Sequence, residues 1–114
     1  MPNTGKRRSK LTRSYREYLL ERLKASRERR VGYLAEAIKE EPEVFLIALR
    51  DVVDALGGVT WLSRKTGMHR VSLHSLLSAR GNPRLESLTR ILEALGVQLA
   101  MQPLEERRSR KKAG

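Results

Sequence analysis

A three-residue turn with a central glycine, Thr66-Gly67-Met68, separates two short segments whose apolar residues have helical spacing. These segments span about Thr60–Lys65 and about Arg70–Ala79, and each is too short to form a helix that is stable alone in water. Glycine at the centre of the turn can adopt a positive φ, which lets the chain reverse sharply between the two helices. The sequence therefore predicts a helix-turn-helix over about 59–79.

Apolar residues recur at helical spacing before and after this pair, and they predict four further helices. Pro42 fits the first position of the third helix, where its missing N–H costs nothing, and Gly57-Gly58 ends that helix. Gly96 caps the last helix, which spans about 85–95. The apolar stripes are Leu11, Tyr15, Leu19 and Leu23 in the first helix; Val31, Leu34, Ala37 and Ile38 in the second; Phe45, Ala48, Leu49, Val52, Val53 and Leu56 in the third; and Leu88, Ile91, Leu92 and Leu95 in the last.

The segment after Gly96 has a different period, because Val97, Leu99 and Met101 alternate with small or polar residues. This alternation predicts a short β-strand over 97–103. The sequence contains no other strand signal, so the strand has no partner within the chain. We expect a homodimer in which it pairs antiparallel with its copy, since a two-fold axis supplies the missing backbone partners. A strand from a toxin is the alternative occupant of the same edge.

A chain of 114 residues is long enough for one compact domain and too short for two with separate cores. We expect a single all-α domain of five to six helices over 11–103, with N-terminal helices at 11–41 and the helix-turn-helix core at 42–96. The polar ends, 1–10 and 104–114, are expected to be disordered.

The sequence lacks the features of disulfide-stabilised secreted proteins, of membrane-spanning proteins and of common enzyme classes. It has no cysteine, its longest apolar run is the six residues Val44–Leu49 against the roughly 20 that cross a bilayer, and its polar start has no signal-peptide apolar region. It shows no phosphate-binding glycine loop, no catalytic triad spacing and no metal-ligand cluster, and its two histidines, His69 and His74, point about 140° apart on a helix. We expect a cytoplasmic protein that is not an enzyme and uses no cofactor, metal or membrane.

The net charge of +11 is distributed unevenly along the chain. Residues 1–30 carry 11 Lys+Arg against 3 Glu, a net of +8, and residues 104–114 carry 5 against 2, a net of +3. Between them, residues 31–58 have 2 positive and 6 negative side chains, whereas residues 59–103 have 6 positive and 2 negative. An acidic half joined to a basic half, with basic ends, is typical of a domain that presents one face to a polyanion. The alternative is that the ends are only solvated charge.

Candidate DNA contacts follow from the docking geometry of a helix-turn-helix, in which the second helix enters the major groove and the first crosses the backbone. The residues expected to face the core are Val59, Leu62, Leu73, Leu76 and Leu77. The candidate base-reading residues are His69, Arg70, Val71, Ser72, His74 and Ser75. The candidate phosphate contacts are Thr60, Arg64, Lys65, Arg80 and Arg84. The N-terminal arm adds four cations that could follow the DNA backbone, Lys6, Arg7, Arg8 and Lys10.

Two side chains in this region have more than one interpretation. Trp61, the only tryptophan, is interpreted as a packing residue, with a phosphate contact through its N–H as the alternative. His74 is equally consistent with a DNA contact and with a half-buried polar residue that binds nothing.

A resemblance extends these predictions over about residues 15–103. It is carried by Gly57-Gly58-Val59, Leu62-Ser63-Arg64-Lys65-Thr66-Gly67-Met68-His69-Arg70, Ser72-Leu73-His74, Leu77-Ser78, Gly81-Asn82-Pro83 and Ala94-Leu95-Gly96-Val97-Gln98-Leu99, and upstream by Tyr33-Leu34-Ala35-Glu36-Ala37-Ile38 and Val44-Phe45-Leu46-Ile47-Ala48-Leu49-Arg50-Asp51-Val52. In these motifs the chain resembles the addiction-module antidote family of Xre-type transcriptional regulators. Val71 and His74 stand where that family usually has an acidic residue and a tyrosine, so its target sequence does not carry over.

The resemblance implies an Xre/lambda-repressor-like helix-turn-helix core and a cytoplasmic homodimer that binds double-stranded operator DNA, represses its own operon and neutralises a RelE/ParE-like ribonuclease toxin. The sequence therefore predicts a sequence-specific transcriptional repressor of the antitoxin type. One alternative is a toxin-neutralising interaction module whose DNA binding is secondary. A second is a general nucleic-acid binder driven by the basic ends.

Overall fold

The computed structural model describes residues 15–105. The predicted basic arm of Lys6, Arg7, Arg8 and Lys10, the expected disorder of 1–10 and of most of 104–114, and Leu11 of the first stripe lie outside the described residues. Within them the fold is all-helical, as the sequence predicts, with six helices. They are α1, which includes residues 15–25, α2 (Arg27–Ala37), α3 (Pro42–Leu56), α4 (Gly58–Thr66), α5 (Arg70–Leu76) and α6 (Leu85–Ala94).

Helix α3 contributes three of the most deeply buried side chains of the domain, Leu49, Val52 and Val53. It begins at Pro42, as the sequence predicts, and Gly57 ends it with a φ of 139°. Packing occurs between α2 and α3, between α3 and α4, and between α4 and both α5 and α6. The most deeply buried side chains come from four of these helices and from the turn after α6, and they are Leu49, Val52, Val53, Leu62, Leu73, Ile91 and Leu95. Burial of this apolar surface stabilises the short helices α4 and α5.

The stripe predicted for α2 is only partly buried. Leu34 and Ala37 are 5% and 7% exposed, whereas Val31 and Ile38 keep 46% and 55% of their surface exposed. Helix α2 lies at the edge of the domain, where α3 covers one side of it. The two exposed residues line a groove between α2 and the segment that follows α6.

The β-strand predicted over 97–103 is wrong. The backbone N–H of Val97 donates to the carbonyl of Leu92 and closes the turn after α6, and residues 97–105 then have no regular secondary structure. The backbone groups of residues 98–104 form no hydrogen bond with any other residue of 15–105. A strand needs a neighbouring strand to exist, and an all-helical domain offers none. Val97, Leu99 and Met101 therefore lie in an irregular apolar segment rather than in a sheet.

Helix α5 also ends earlier than predicted, at Leu76 instead of Ala79. Ser78 causes this, because its N–H and its hydroxyl both bond the carbonyl of Ser75, at 3.3 and 2.8 Å, and so form a turn. Gly81 follows in close contact with the end of α5, where a Cβ atom would lie 2.1 Å from the Leu76 carbonyl oxygen. Only glycine fits there, and its position fixes the direction of the Gly81-Asn82-Pro83 segment toward α6.

A buried arginine of α2 bonds the C-terminal ends of two other helices. Arg30 is 7% exposed, and its Nε donates to the Leu95 carbonyl at 2.9 Å while its Nη1 donates to the carbonyls of Leu23 and Lys24 at 2.8 and 3.2 Å. These carbonyls lie at or just beyond the C-terminal ends of α1 and α6, where helices have unpaired acceptors and partial negative charge. Burial lowers the pKa of Arg30, and the nearby charge of Arg27 acts in the same direction. Arg30 thus connects α1, α2 and α6.

Candidate nucleic-acid interface

The turn between α4 and α5 is held by its own side chains. Gly67 has a φ of 78°, in the left-handed region, and its N–H donates to the Ser63 carbonyl at 2.8 Å. The Ser63 hydroxyl donates to the Met68 carbonyl at 2.6 Å. Thr66 donates its hydroxyl to the Leu62 carbonyl at 2.8 Å and accepts from the Met68 N–H at 3.2 Å. The positive φ that the sequence predicts for this glycine is confirmed, and the hydroxyl bonds fix the turn on both sides.

Helix α6 packs against α4 and is bonded to its C-terminal end. Arg90 donates a hydrogen bond from Nη2 to the Thr66 carbonyl, at the last residue of α4. Sequence reasoning missed Arg90, because the sequence holds no signal that links position 66 to a residue 24 positions later. Of the residues expected to face the core, Val59, Leu62, Leu73 and Leu77 are buried and Leu76 is half-buried.

Trp61 is a packing residue, in agreement with the first of its two interpretations. It is half-buried and packs against the core. Gly57 makes room for it, since a Cβ atom at position 57 would lie 2.7 Å from the Cβ of Trp61. The positive φ of Gly57 and the closeness of Trp61 explain why a side chain is absent at this position.

Every base-reading and phosphate candidate in this region is exposed to solvent. Five of the eleven line one open groove of about 530 Å³ between α4 and the start of α5: Thr60, Arg64, His69, Arg70 and Val71. Ser63, Gly67 and Met68 complete the groove, and Val71 is 81% exposed. The other six are exposed outside it, on α4, on α5 and in the segment before α6: Lys65, Ser72, His74, Ser75, Arg80 and Arg84.

The cations of this region have few internal partners. Within residues 15–105, the side chains of Arg64, Lys65, Arg80 and Arg84 form no ion pair and no hydrogen bond. Their charges therefore remain available to a ligand.

Arg70 differs from these four cations, because it has a partner across the turn. Its Nη1 donates to Thr60 Oγ1 at 3.3 Å. A candidate base-reading residue and a candidate phosphate contact are thus brought into direct contact, which the sequence spacing alone does not indicate.

Two further observations bear on chemistry other than nucleic-acid binding. In the part of the chain that the structure describes, no group of three or more His, Cys, Asp or Glu is arranged to hold a metal ion. Over the same residues, no helix combines the length and the apolar character needed to span a membrane.

Comparison with known proteins identifies relatives of the chain. A family model described as "Probable addiction module antidote protein" matches residues 16–103. An uncharacterized protein of Haemophilus influenzae is 32% identical over 71 residues, which cover 61% of this chain and 72% of the relative. No solved structure matches the chain. The resemblance to the antidote family is confirmed, since the match spans almost the same residues as the motifs that predict it, and the chain belongs to the family of addiction-module antidote proteins.

Proposed function

We propose that this protein is an antitoxin-like, sequence-specific DNA-binding repressor that inserts α5 into the major groove of its operator. Membership in the antidote family supports an antitoxin-like role and implies, for members in general, a toxin as partner. DNA binding, an Xre-type helix-turn-helix and repression of its own operon are the further parts of the proposal. The protein acts by binding and catalyses no reaction.

The observation that supports DNA binding is the set of unpaired cations around an exposed, rigid turn. Arg64, Lys65, Arg80 and Arg84 lie on the segments that precede and follow α5, with no acidic partner among residues 15–105. Exposed cations without internal partners are the side chains that neutralise phosphates and release counterions from DNA. Because they lie in the segments that precede and follow α5, we expect them to contact the phosphates next to the groove that α5 enters.

Individual roles follow from the chemistry of each exposed side chain. Arg70 offers a planar guanidinium that suits the O6 and N7 atoms of guanine, and Val71 offers a methyl contact for thymine. His69, Ser72, His74 and Ser75 provide polar groups at the same surface. The four unpaired cations fix the position of the protein on the DNA backbone without reading sequence.

We further propose that the repressor acts as a homodimer, so that two copies of α5 reach half-sites about one helical turn apart. Val97, Leu99 and Met101 remain the proposed contact, now through apolar packing of an irregular segment rather than through a sheet. Leu99 and Met101 are 43% and 100% exposed. The groove beside this segment is lined only by uncharged residues, which lets two strongly cationic chains approach there.

A second candidate function is neutralisation of a RelE/ParE-like toxin with only secondary DNA binding. Family membership favours it, as does a third groove, between α2 and α3. This groove combines apolar Val44 and Ile47 with the acidic Glu36 and Glu40. Apolar contact surrounded by negative charge suits a basic protein partner.

Selection from a random duplex library tests the main proposal. The full chain is expected to enrich one sequence with two related half-sites, and a footprint upstream of its own gene should contain that sequence. The same affinity for every duplex, with a steep dependence on salt, would instead support the general nucleic-acid binder. Binding of the product of an adjacent reading frame, without any enriched DNA sequence, would support the second candidate.

A further inference from the structure

We infer that Thr60 is a positioning residue for Arg70: its hydroxyl accepts a hydrogen bond from the guanidinium and fixes the plane in which Arg70 meets a base edge. The inference rests on the proposed function and names a second residue that determines sequence specificity. It assigns to Thr60 a role different from the phosphate contact that the sequence predicts.

The contact joins the two helices across the turn. Thr60 lies in the first turn of α4 and Arg70 is the first residue of α5, ten positions later, with 3.3 Å between Nη1 and Oγ1. Both side chains line the same open groove. Thr60 is therefore placed to orient a side chain on the helix that we propose enters the DNA.

The backbone that carries both residues is fixed independently of this bond. Gly67 takes the left-handed conformation, Ser63 bonds the Met68 carbonyl, and Arg90 bonds the carbonyl that ends α4. Leu62 and Leu73, one from each helix, are fully buried. Because α4 and α5 cannot easily shift relative to each other, loss of the Thr60 hydroxyl should release the Arg70 side chain and leave the helices in place.

A hydroxyl is a suitable acceptor at this position. Arginine has five N–H donors in one plane, so one bond to Thr60 leaves the others free for a bidentate contact with guanine. A carboxylate at position 60 would also bind the guanidinium, but it would cancel its charge and repel the phosphates. A neutral acceptor orients Arg70 and leaves its positive charge available to DNA.

The bond to Thr60 orients the Arg70 side chain before DNA binds, which lowers the entropy cost of binding. A long, flexible arginine side chain loses rotamer freedom when it docks against a base, and a side chain that is already oriented loses less. The bond is weak in water because both residues are exposed, and it becomes stronger when DNA excludes water from the groove. The effect should therefore appear in the affinity for the correct sequence more than in the stability of the free protein.

The test compares Thr60→Val, which is nearly isosteric and has no acceptor, with Thr60→Ser, which keeps the hydroxyl. Arg70→Ala and the double variant Thr60→Val/Arg70→Ala are included, and all variants are made in the full chain. The affinity of each is measured for the duplex selected by the unaltered protein, for single-base variants of that duplex and for random duplex. Thermal unfolding of each variant checks that the fold is retained.

We expect Thr60→Val to lower the preference for the selected duplex over random duplex by about three- to tenfold, the range of one net hydrogen bond. The loss should fall on the base positions at which Arg70→Ala loses its preference. Thr60→Ser should stay within about twofold of the unaltered protein, and Thr60→Val should add nothing in the Arg70→Ala background, because coupled residues are not additive.

Two outcomes would overturn the inference alone. An unchanged preference in Thr60→Val would mean that the contact orients nothing, and an equal loss on selected and random duplex would return Thr60 to the role of a phosphate contact. Failure of the unaltered protein to select any sequence is a different result, because it overturns the proposed function and the role of Thr60 with it.

Discussion

Two surfaces of this domain, the one where α1 and α2 contact α3 and the one around α5, treat their charged side chains in opposite ways. On the side of α1 to α3, Arg16 contacts Asp51 and Asp54 at 3.0 and 2.9 Å, and Arg50 contacts Asp54 at 3.2 Å. Tyr33 donates its hydroxyl to Asp51 at 2.6 Å, which completes a network between the three helices. On the side of α4 to α6, four cations have no such partner within residues 15–105: Arg64, Lys65, Arg80 and Arg84.

This difference separates charges that hold the fold from charges that can bind a ligand. The hydrogen bond that Arg16 donates to Asp51 raises the pKa of Arg16, and the charges of Asp51 and Asp54 act in the same direction, against the lowering effect of burial. A cation that is satisfied internally gains little from a phosphate. An unpaired cation gains the whole contact. Arg64, Lys65, Arg80 and Arg84 are unpaired in the segments directly before and after α5, so this is the surface that we expect to meet DNA.

The largest effect is expected at Arg30, the buried cation that bonds the C-terminal ends of α1 and α6. Arg30→Ala removes three hydrogen bonds and leaves buried carbonyls at the ends of α1 and α6 without a donor. We expect the free energy of unfolding to fall by about 3 kcal/mol, measured by urea denaturation. Arg29→Ala is the control, because that side chain is exposed, and it should change stability by less than about 0.5 kcal/mol. Equal losses in the two variants would show that Arg30 does not connect the helices.

The next effect concerns the exposed arginines of α4 and α5 and is measured as a change in affinity for DNA. Arg70→Ala should weaken binding to the selected sequence by about 1–3 kcal/mol and binding to random duplex much less, since a base contact is lost. Arg64→Ala should weaken both alike, because a phosphate contact carries no sequence information. Fluorescence anisotropy at one fixed salt concentration provides the measurement. If the two variants gave the same pattern of loss, Arg70 would not be a reader of bases.

Much of this architecture could be predicted from local signals in the sequence. Pro42 and Gly57 set the bounds of α3, and Gly67 marks the turn, because each residue acts through its own backbone restriction. The strand at 97–103 could not be judged in the same way. Alternation shows which residues could face one side of a strand, but whether a strand forms depends on a partner that no local pattern supplies.

In the candidate site, too, features set by local sequence could be predicted, whereas contacts between distant residues could not. Exposure of the polar face of α5 followed from helical periodicity, since the apolar residues of that helix must face the core. The bonds from Arg70 to Thr60 and from Arg90 to the Thr66 carbonyl join residues 10 and 24 positions apart. Such contacts depend on the packing angle between helices, which is a property of the whole core.

A smaller effect is expected at Tyr33, and it depends on pH. Burial, the hydrogen bond to Asp51 and the charge of that carboxylate all raise the pKa of Tyr33 above its ordinary value of 10.0. The folded protein therefore holds the phenol proton more tightly than the unfolded chain does. The resulting stabilisation is complete below pH 10.0 and is lost as the pH rises through the higher pKa of the folded state.

Tyr33→Phe tests this assignment. It should cost about 1 kcal/mol of unfolding free energy at neutral pH, the usual contribution of one hydrogen bond. The difference between the two proteins should shrink above pH 10.0, because only the unaltered protein has a proton to lose at this site. Urea unfolding on both sides of that pH gives the comparison. A difference that stays constant with pH would contradict the assignment.

The smallest effect compares one paired cation directly with one unpaired cation. Arg16→Ala breaks contacts to two carboxylates, but its side chain is 46% exposed, so we expect a loss of only about 0.5 kcal/mol. Lys65→Ala removes an exposed charge that has no partner in the described chain, and it should leave stability unchanged or slightly raised. Added salt should reduce the loss of stability in Arg16→Ala, because ions screen the pairs that the mutation removes.

In DNA binding the order of the two effects should reverse, with Lys65→Ala weakening binding to any sequence and Arg16→Ala leaving it unchanged. A loss of DNA affinity in Arg16→Ala equal to that in Lys65→Ala would show that paired and unpaired cations contribute alike.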